Sequence, residues 1–286
     1  MHLINADLHS HSTISDGTLE PEAVAALAHA NGVELWSLTD HDELAGQQRA
    51  RDAALELGMA YLNGVEISVS FAGETVHIVG LGVDPENADL QAGLAITRSG
   101  RRDRALKMAE GLAQAGIPDA FEGALRHVNN PNLISRSHFA RHLVERGICG
   151  SPHEVFRRYL TRGNPGYVPH EWAGLKDAVR WITGAGGIAV IAHPARYRYS
   201  PSAEYALFTE FIAHGGRGVE VMTGSHSAPE QIRYADTAVE FDLLASRGSD
   251  FHSPTESRTA LGAVPDLPGR LTPVWEALAD RVQRPQ

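Results

Sequence analysis

Short apolar runs in this chain end repeatedly on histidine and aspartate. Asp7-Leu8-His9-Ser10-His11 follows an apolar start and is trailed by Asp16. If Leu3 to Leu8 is a strand, side chains alternate between faces, so His9 and His11 point the same way and can reach one metal ion. A lone His-x-His says little, but the feature recurs. Asp40-His41 closes the run Val33 to Thr39, His193 follows Ile188 to Ala192 and precedes Pro194, and Asp250-Phe251-His252 closes Leu243 to Ser249. Glu66 and His77 each stand in an otherwise apolar strand, Gly64 to Ile67 and Val76 to Val79. A buried charge without a partner is costly, so each must be paired, neutralised or metal-bound. A Glu66–His77 ion pair across a hairpin turned at Ala72-Gly73 would satisfy both. Beside the other clusters, shared metal ligation accounts for more of the residues. Imidazole and carboxylate ligands without a thiolate suit manganese, iron or zinc.

The elements that must position these groups are legible in outline. Thr18 and Pro21 open a helix with Val24, Leu27 and Ala28 on one face, and Gly32 stops it. The spacing then predicts a strand over 33–39, a helix from about Gly46 to Leu57, and strands around 61–71 and 75–83. Later, Leu175 to Thr183, Tyr205 to Ala213 and Pro229 to Phe241 read as helices, interleaved with strands at 187–192, 217–223 and 243–249. Alternation at this spacing indicates an α/β fold with a parallel sheet. Active sites of such folds gather at the carboxyl ends of the strands, where His9, Asp40, His41, His193, Asp250 and His252 all fall. Ligands from the first and last strands must meet, which favours a closed barrel over an open sheet.

Composition narrows the class. The 286 residues are 43% hydrophobic and 21% charged, as in an ordinary globular protein, which excludes disorder, collagen and coiled coil. No apolar run approaches the ~20 residues of a membrane helix. No basic-then-apolar leader stands at the N-terminus, so a cytoplasmic address and no membrane partner are expected. The single cysteine, Cys149, excludes a disulfide framework and a cysteine-rich zinc site.

The net charge of −10 argues against wholesale coating of nucleic acid, but it is unevenly spread. Residues 97–167 hold twelve Lys/Arg against six Asp/Glu, so this block is +6 and the remainder −16. Either the block is a set of helices with solvated basic faces, or it is a basic lid over a polyanionic substrate. Arg101, Arg102 and Lys107 fall within two helical turns, and Ser135-Arg136 leads into a further helix. A helix N-terminus joined by an arginine is a ready anion site. Arg196, just past His193, can touch the same ligand. The division expected is a body from 1–96 and 168–286, interrupted by a basic helical insertion, 97–167, that covers the substrate.

His9-x-His11, Asp40-His41, Glu66, His77, Ala192-His193-Pro194 and Asp250-x-His252 together resemble the PHP (polymerase and histidinol phosphatase) phosphoesterases. The likeness runs in order from residue 7 to residue 252, outside the basic block. It implies a distorted (β/α)7 TIM-like barrel of the PHP type, with three divalent metal ions at its mouth, manganese before zinc or iron. It also implies that His9, His11, Glu66 and Asp250 hold the first ion, and that Glu66 bridges to a second shared with His77 and His193. Asp16, His41 and His252 would hold the third. Asp16 stands where the family often has a histidine, an exchange that keeps a hard ligand and adds negative charge. Within the family, the stretch from Asp7 to Thr18 and the insertion after Leu94 look most like the nucleoside 3′,5′-bisphosphate phosphatases and the related 5′-to-3′ exoribonuclease RNase AM.

The chemistry expected is hydrolysis of a nucleoside 3′,5′-bisphosphate such as pAp at its 3′-phosphate. Water activated between the ions would attack phosphorus in line. Short RNA 5′ ends would be a further substrate, and no obligate protein partner is implied. No serine or cysteine nucleophile is needed. Asp40 reads as the group that orients a ligand histidine, and His226 as the candidate proton donor to the leaving oxygen. Substrate contacts are expected from Arg101, Arg102, Lys107, Ser135, Arg136 and Arg196. Two rivals stay open. A histidinol-phosphate or sugar-phosphate phosphatase needs only one phosphate pocket, and a non-catalytic metal-binding polymerase accessory would show no turnover.

Overall fold

The computed structural model describes residues 4–286. β1 (Ala6–Asp7), β2 (Leu35–Trp36) and β3 (Ala60–Tyr61) form a parallel sheet in that order, with α1 (Pro21–Ala30) and α2 (Gln47–Glu56) between them in the chain. Leu3, where the sequence places the start of the first strand, lies outside the described residues. The ladder stops at Asp7 and Trp36 because the residues that follow bond irregularly. Ser10 N–H donates to Thr39 Oγ1 at 3.1 Å, and Thr39 N–H donates to Ser10 O at 2.9 Å. The two helices bury Val24, Ala28, Ala50 and Ala54 in one apolar cluster with Trp36 and Tyr61. Pro21 can begin α1 because its missing N–H would have no partner there.

The single strand expected over 61–71 is two. Leu62 and Asn63 carry the chain into a second sheet, where β4 (Gly64–Phe71) pairs antiparallel with β5 (Glu74–Leu81). Ala72 and Gly73 turn the hairpin as anticipated, both at positive φ (46° and 79°), the backbone that a two-residue turn requires. Five helices follow: α3 (Ala88–Ser99), α4 (Arg101–Gln114), α5 (Ala120–Leu125), α6 (Arg136–Glu145) and α7 (Pro152–Val155). Met108, Leu112, Phe139, Leu143 and Leu160 form an apolar cluster of their own, apart from the one under the second sheet. The chain then resumes β/α alternation with β6 (Ala173–Gly174), α8 (Leu175–Gly184), β7 (Ile188–Ile191), α9 (Pro201–Ala213), β8 (Gly218–Thr223), α10 (Ala228–Glu240) and β9 (Leu244–Gly248). α11 (Val274–Ala277) comes last. Among the described residues no helix is long and apolar enough to cross a membrane.

The second sheet has the order β6-β4-β5-β7-β8-β9. β5 runs against both neighbours, since a two-residue turn leaves no room for a crossover helix. β7, β8 and β9 are mutually parallel. The fold is therefore α/β with parallel strands, but one closed ladder is not formed. The two sheets instead meet at two seams. At one, Leu8 N–H donates to Arg247 O (3.0 Å), Asp250 N–H donates to His9 O (2.9 Å), and Ser10 bridges Phe251. At the other, His41 bridges Glu66, and Asp42 N–H donates to Glu66 O (2.8 Å). Both seams run through residues of the expected metal site.

The first seam depends on Gly248, where an added Cβ would lie 2.4 Å from His9 Cβ and 2.6 Å from His9 N. Gly248→Ala should destabilise the protein by about 1–3 kcal/mol, because the crowded atoms are backbone and a packed imidazole. Gly269→Ala, with nothing within 4 Å of the new carbon, should change little. Thermal unfolding of the two variants checks this, and equal melting temperatures would refute the close-approach argument.

Candidate metal centre

Glu66 sits mid-strand in β4 and is fully buried, while Val65 and Ile67 turn to the opposite face. Its Oε1 stands 2.8 Å from His77 Nδ1, 3.1 Å from His193 Nε2 and 3.3 Å from His9 Nε2. Its Oε2 stands 2.8 Å from His41 Nδ1 and 3.3 Å from His11 Nε2. Asp250 Oδ1 approaches the same two strand-end histidines, at 3.3 Å from His11 Nε2 and 3.5 Å from His9 Nε2. Asp16 Oδ1 lies 3.3 Å from His252 Nε2 and 3.8 Å from His41 Nε2. All nine side chains anticipated as ligands thus converge. Two of them hang from backbone in the left-handed region, His193 at φ 29° and Asp250 at φ 55°. For a histidine this is an uncommon conformation, held by the surrounding contacts to aim the ring inward.

Most of these atoms are close without being hydrogen-bonded. His9 Nε2, both nitrogens of His11, His41 Nδ1, Asp16 Oδ1 and Glu66 Oε2 are enclosed and make no well-directed hydrogen bond among the described residues, even where two of them are in contact as an ion pair. Each such group costs free energy, and so many in one place are not a stable end state for protein atoms alone. Shared cations would satisfy them together. Ligand atoms fall within 4.8 Å of one another in four overlapping sets: His11-Asp16-His41-His252, His9-Glu66-His193, His9-His11-Asp250 and His41-Glu66-His77. Imidazole and carboxylate donors in these numbers fit divalent metal ions.

The electrostatics agree. Burial would raise the Glu66 carboxyl, but His41, His77 and His9 outweigh it and hold the group well below the usual range. Asp16 and Asp250 are held down in the same way, chiefly by His252 and by His9. Burial, reinforced by His252 and His41, pushes His11 down to about 3, and burial pushes His77 to about 4, so both are neutral and free to ligate at pH 7. His41 is lowered by burial, yet Glu66 and Asp16 overcome this and lift it to about 9.

Two expected roles are not what the structure shows. The Asp40 carboxylate makes no hydrogen bond or ion pair with a histidine among the described residues. Its carboxylate accepts from Ser12 N–H (2.8 Å), Ser12 Oγ–H (2.7 Å) and Ser15 Oγ–H (2.6 Å), so it pins the turn that presents Asp16. Burial lifts its pKa to about 6. His226 is not a proton donor to the cleft either. Its Nδ1–H donates to Val221 O (3.0 Å), its Nε2 accepts from Ala195 N–H (3.3 Å), and its ring stacks on Tyr234.

Glu220 is the group that sequence reasoning missed. It is buried in β8, with Oε1 accepting from His9 Nδ1–H at 2.7 Å and Oε2 accepting from His193 N–H at 2.7 Å. One carboxylate therefore fixes the tautomer of one ligand and the backbone of another. Its signal was present: a lone acid in the apolar strand Gly218-Val219-Glu220-Val221, the same signature as Glu66.

Above the histidines lies a cleft with Asp16, His41, His77, Asp250 and His252 on its floor. Arg101 reaches its wall but is committed to the Asp42 carboxylate and to Ser68 Oγ (3.3 Å). Arg102 and Lys107 lie on the exposed face of α4 and do not line the cleft. Arg104, one turn on from Arg101, does line it, and burial with the Arg136 and Arg101 charges lowers its pKa to about 9. Arg136 stands over the Phe156 ring (5.6 Å) and has no hydrogen bond or ion pair among the described residues. Arg196 Nη1–H donates to Asp250 Oδ2 at 2.8 Å. Ser135 caps α6 and its Oγ–H donates to Asp16 Oδ2 (3.2 Å), while Arg141 Nη2–H donates to Asp16 O (2.6 Å). α6 is latched to the candidate metal site through one aspartate, Asp16.

The model of the PHP domain matches residues 7–161. The chain belongs to the PHP family. It is 50% identical to the 3′,5′-nucleoside bisphosphate phosphatase of Chromobacterium violaceum over 99% of both chains. It is 40% identical to a 5′-3′ exoribonuclease of Haemophilus influenzae over 94% of this chain and 97% of that one. Among solved structures, an amidohydrolase from Chromobacterium violaceum with bound sulfate and no metal superposes with a TM-score of 0.96 at 50% identity, covering 99% of this chain and 98% of that one.

Two outcomes are expected. A histidine whose folded pKa is raised stabilises the fold below its unfolded value and loses that contribution as pH climbs through the folded one. Through His41, the metal-free PHP protein should therefore melt at falling temperatures between about pH 6.5 and pH 9. Metal-loaded protein, whose ligands carry no proton to lose, should lack that decline. A flat metal-free profile would contradict the assignment. Glu220→Gln should weaken divalent metal binding about 10- to 100-fold in equilibrium dialysis with little change in circular dichroism. Unchanged affinity would leave Glu220 a packing residue.

Proposed function

We propose that this PHP protein binds three divalent ions, manganese before zinc or iron, through His9, His11, Asp16, His41, Glu66, His77, His193, Asp250 and His252. The enclosed ligand atoms, which make no well-directed hydrogen bond, support this reading, and Glu66, present in two of the overlapping sets, would help to hold more than one ion, as the family resemblance implies. We read the two seamed sheets as an opened (β/α)7 barrel and residues 97–167 as a lid that carries substrate specificity.

The protein is a phosphoric ester hydrolase, and its substrate is a nucleoside 3′,5′-bisphosphate that loses the 3′-phosphate to leave a 5′-monophosphate. The observation that carries this is two anion-binding poles in one cleft: the metal floor, and the guanidinium groups of Arg104 and Arg136 on the wall. The 50% identical relative acts on the same substrate class. When bound, the ions supply an acidified water and neutralise charge on the phosphoryl oxygens. The chain's own groups do the rest. Arg104 and Arg136 receive the 5′-phosphate, with the hydroxyls of Ser135 and Ser137 beside them. Phe156 and Trp172 exclude water from the space between the poles. Arg196, at the Asp250 edge of the floor, meets the phosphoryl group being transferred. Asp40 and Glu220 keep Asp16, His9 and His193 in place while charge moves.

A contact to the 5′-phosphate is made equally in ground and transition states, so it contributes uniform binding of about 1.5–3 kcal/mol. Arg136→Ala should lower kcat/KM for the bisphosphate roughly ten- to a hundredfold, mostly through KM. Hydrolysis of a nucleoside 3′-monophosphate, which places nothing there, should barely change. Equal losses on both substrates would move Arg136 to the reacting phosphate or the fold, and no loss on either would make the basic block a solvated face.

A further inference from the structure

β5 and β7 pair antiparallel from Leu81 with Ile188 to Ile78 with Ile191, and the next pair in register is His77 with Ala192. A hydrogen-bonded pair of this kind exchanges two N–H···O bonds. Here only one of them is direct, Ala192 N–H donating to His77 O at 3.1 Å. In place of the other, a side chain stands between the strands. His77 N–H donates to Tyr197 Oη at 2.8 Å, and Tyr197 Oη–H donates to Ala192 O at 2.9 Å. The hydroxyl accepts once and donates once, so no backbone group is left unpaired. The pair is also wider there, since two bonds span a gap that one would close.

The opening lies where the metal centre begins. His77 brings Nδ1 to 2.8 Å from Glu66 Oε1, and His193, the residue after Ala192, brings Nε2 to 3.1 Å from the same oxygen. At His193 the chain leaves the strand direction with φ 29°, and its N–H turns to Glu220. A ligand histidine is usually oriented by a bond at its other ring nitrogen. His193 Nδ1 has none among the described residues, so its ring is aimed through its backbone. The short turn Pro194–Arg196 then brings Tyr197 back to the pair, with its ring centroid 5.7 Å from that of His193. A closed His77–Ala192 pair would draw Ala192 towards β5 and carry His193 with it. We propose that Tyr197 is a positioning residue of the metal centre, its hydroxyl holding β5 and β7 apart so that His77 and His193 both reach Glu66 Oε1. This rests on the metal reading above and gives that centre a support that comes from neither Glu220 nor Asp40.

The test follows manganese binding by calorimetry, and turnover of a nucleoside 3′,5′-bisphosphate, in wild type, Tyr197→Phe and Tyr199→Phe. Tyr199 is the control, because its hydroxyl also donates to a backbone carbonyl, Phe71 O at 2.6 Å, that belongs to no candidate ligand. Both variants keep the aromatic ring, so circular dichroism should match wild type. Tyr197→Phe should weaken the binding of at least one ion about 10- to 100-fold. At limiting manganese its kcat should fall with KM for the bisphosphate unchanged, and excess manganese should restore turnover. Tyr199→Phe should leave the isotherm unaltered. Wild-type affinity in Tyr197→Phe, or an equal loss in both variants, overturns the assignment and makes the hydroxyl an ordinary strap between strands. Should Tyr197→Phe fail to fold, metal-loaded crystals of wild type decide: Tyr197 Oη should remain between His77 N and Ala192 O, and a direct His77–Ala192 bond overturns the proposal. Wild-type protein that takes up no divalent ion removes the metal reading, and this inference with it.

Discussion

One fully buried carboxylate, Glu66, faces five imidazoles within 3.3 Å. Two oxygens offer at most about four lone-pair directions, so the five rings cannot all be satisfied by hydrogen bonds to this one group. Nor can the rings all be protonated, because their charges would repel at ring-centroid separations such as the 4.0 Å between His11 and His252. Cations resolve the conflict, since each nitrogen then ligates as a neutral donor. The rest of the molecule is arranged so that this cluster can exist.

The nine side chains come from widely separated stretches of the chain, and those at strand ends disturb regular structure as they arrive. β1 and β2 stop after two residues so that His9, His11 and His41 can turn towards β4. His193 and Asp250 adopt left-handed backbone at the ends of β7 and β9. These departures are stabilised from behind. Glu220 grips His9 and His193 together, and Asp40 grips the serines that carry Asp16. α6 attaches at the same point, through Ser135 and Arg141 on Asp16. Arg136, proposed to receive the far phosphate, thereby sits on a helix tied to Asp16, a candidate metal ligand.

The convergence of the nine side chains is legible in the sequence because burial makes isolated acids and histidines in apolar strands conspicuous, and because strand ends gather in space. Glu66 and His77 stand out on that ground, and Glu220 carries the same mark. The roles of Asp40 and His226 are not legible. Which neighbour a buried polar group faces depends on turns, and here two serines and a backbone carbonyl take the places expected for a ligand histidine and a substrate oxygen. On α4, spacing alone does not say which face turns inward. Arg101 and Arg104 share the buried side with Ala105 and Met108, whereas Arg102 and Lys107 lie outside it. The barrel is expected from the need for the first and last strands to meet. They do meet at one of the two seams, but through an isolated bridge and single hydrogen bonds, since short strands bent to aim side chains inward cannot also sustain a continuous ladder.

The most direct measurement is anomalous X-ray scattering from crystals of this PHP protein loaded with manganese. Three peaks are expected among the nine side chains, one of them shared between Glu66 and the histidines at the ends of β1, with Glu66 no longer hydrogen-bonded to His77 and His193. Crystals that show no ordered metal there, with those imidazole–carboxylate pairs intact, would contradict a metal centre and leave the cluster as a network of buried ion pairs.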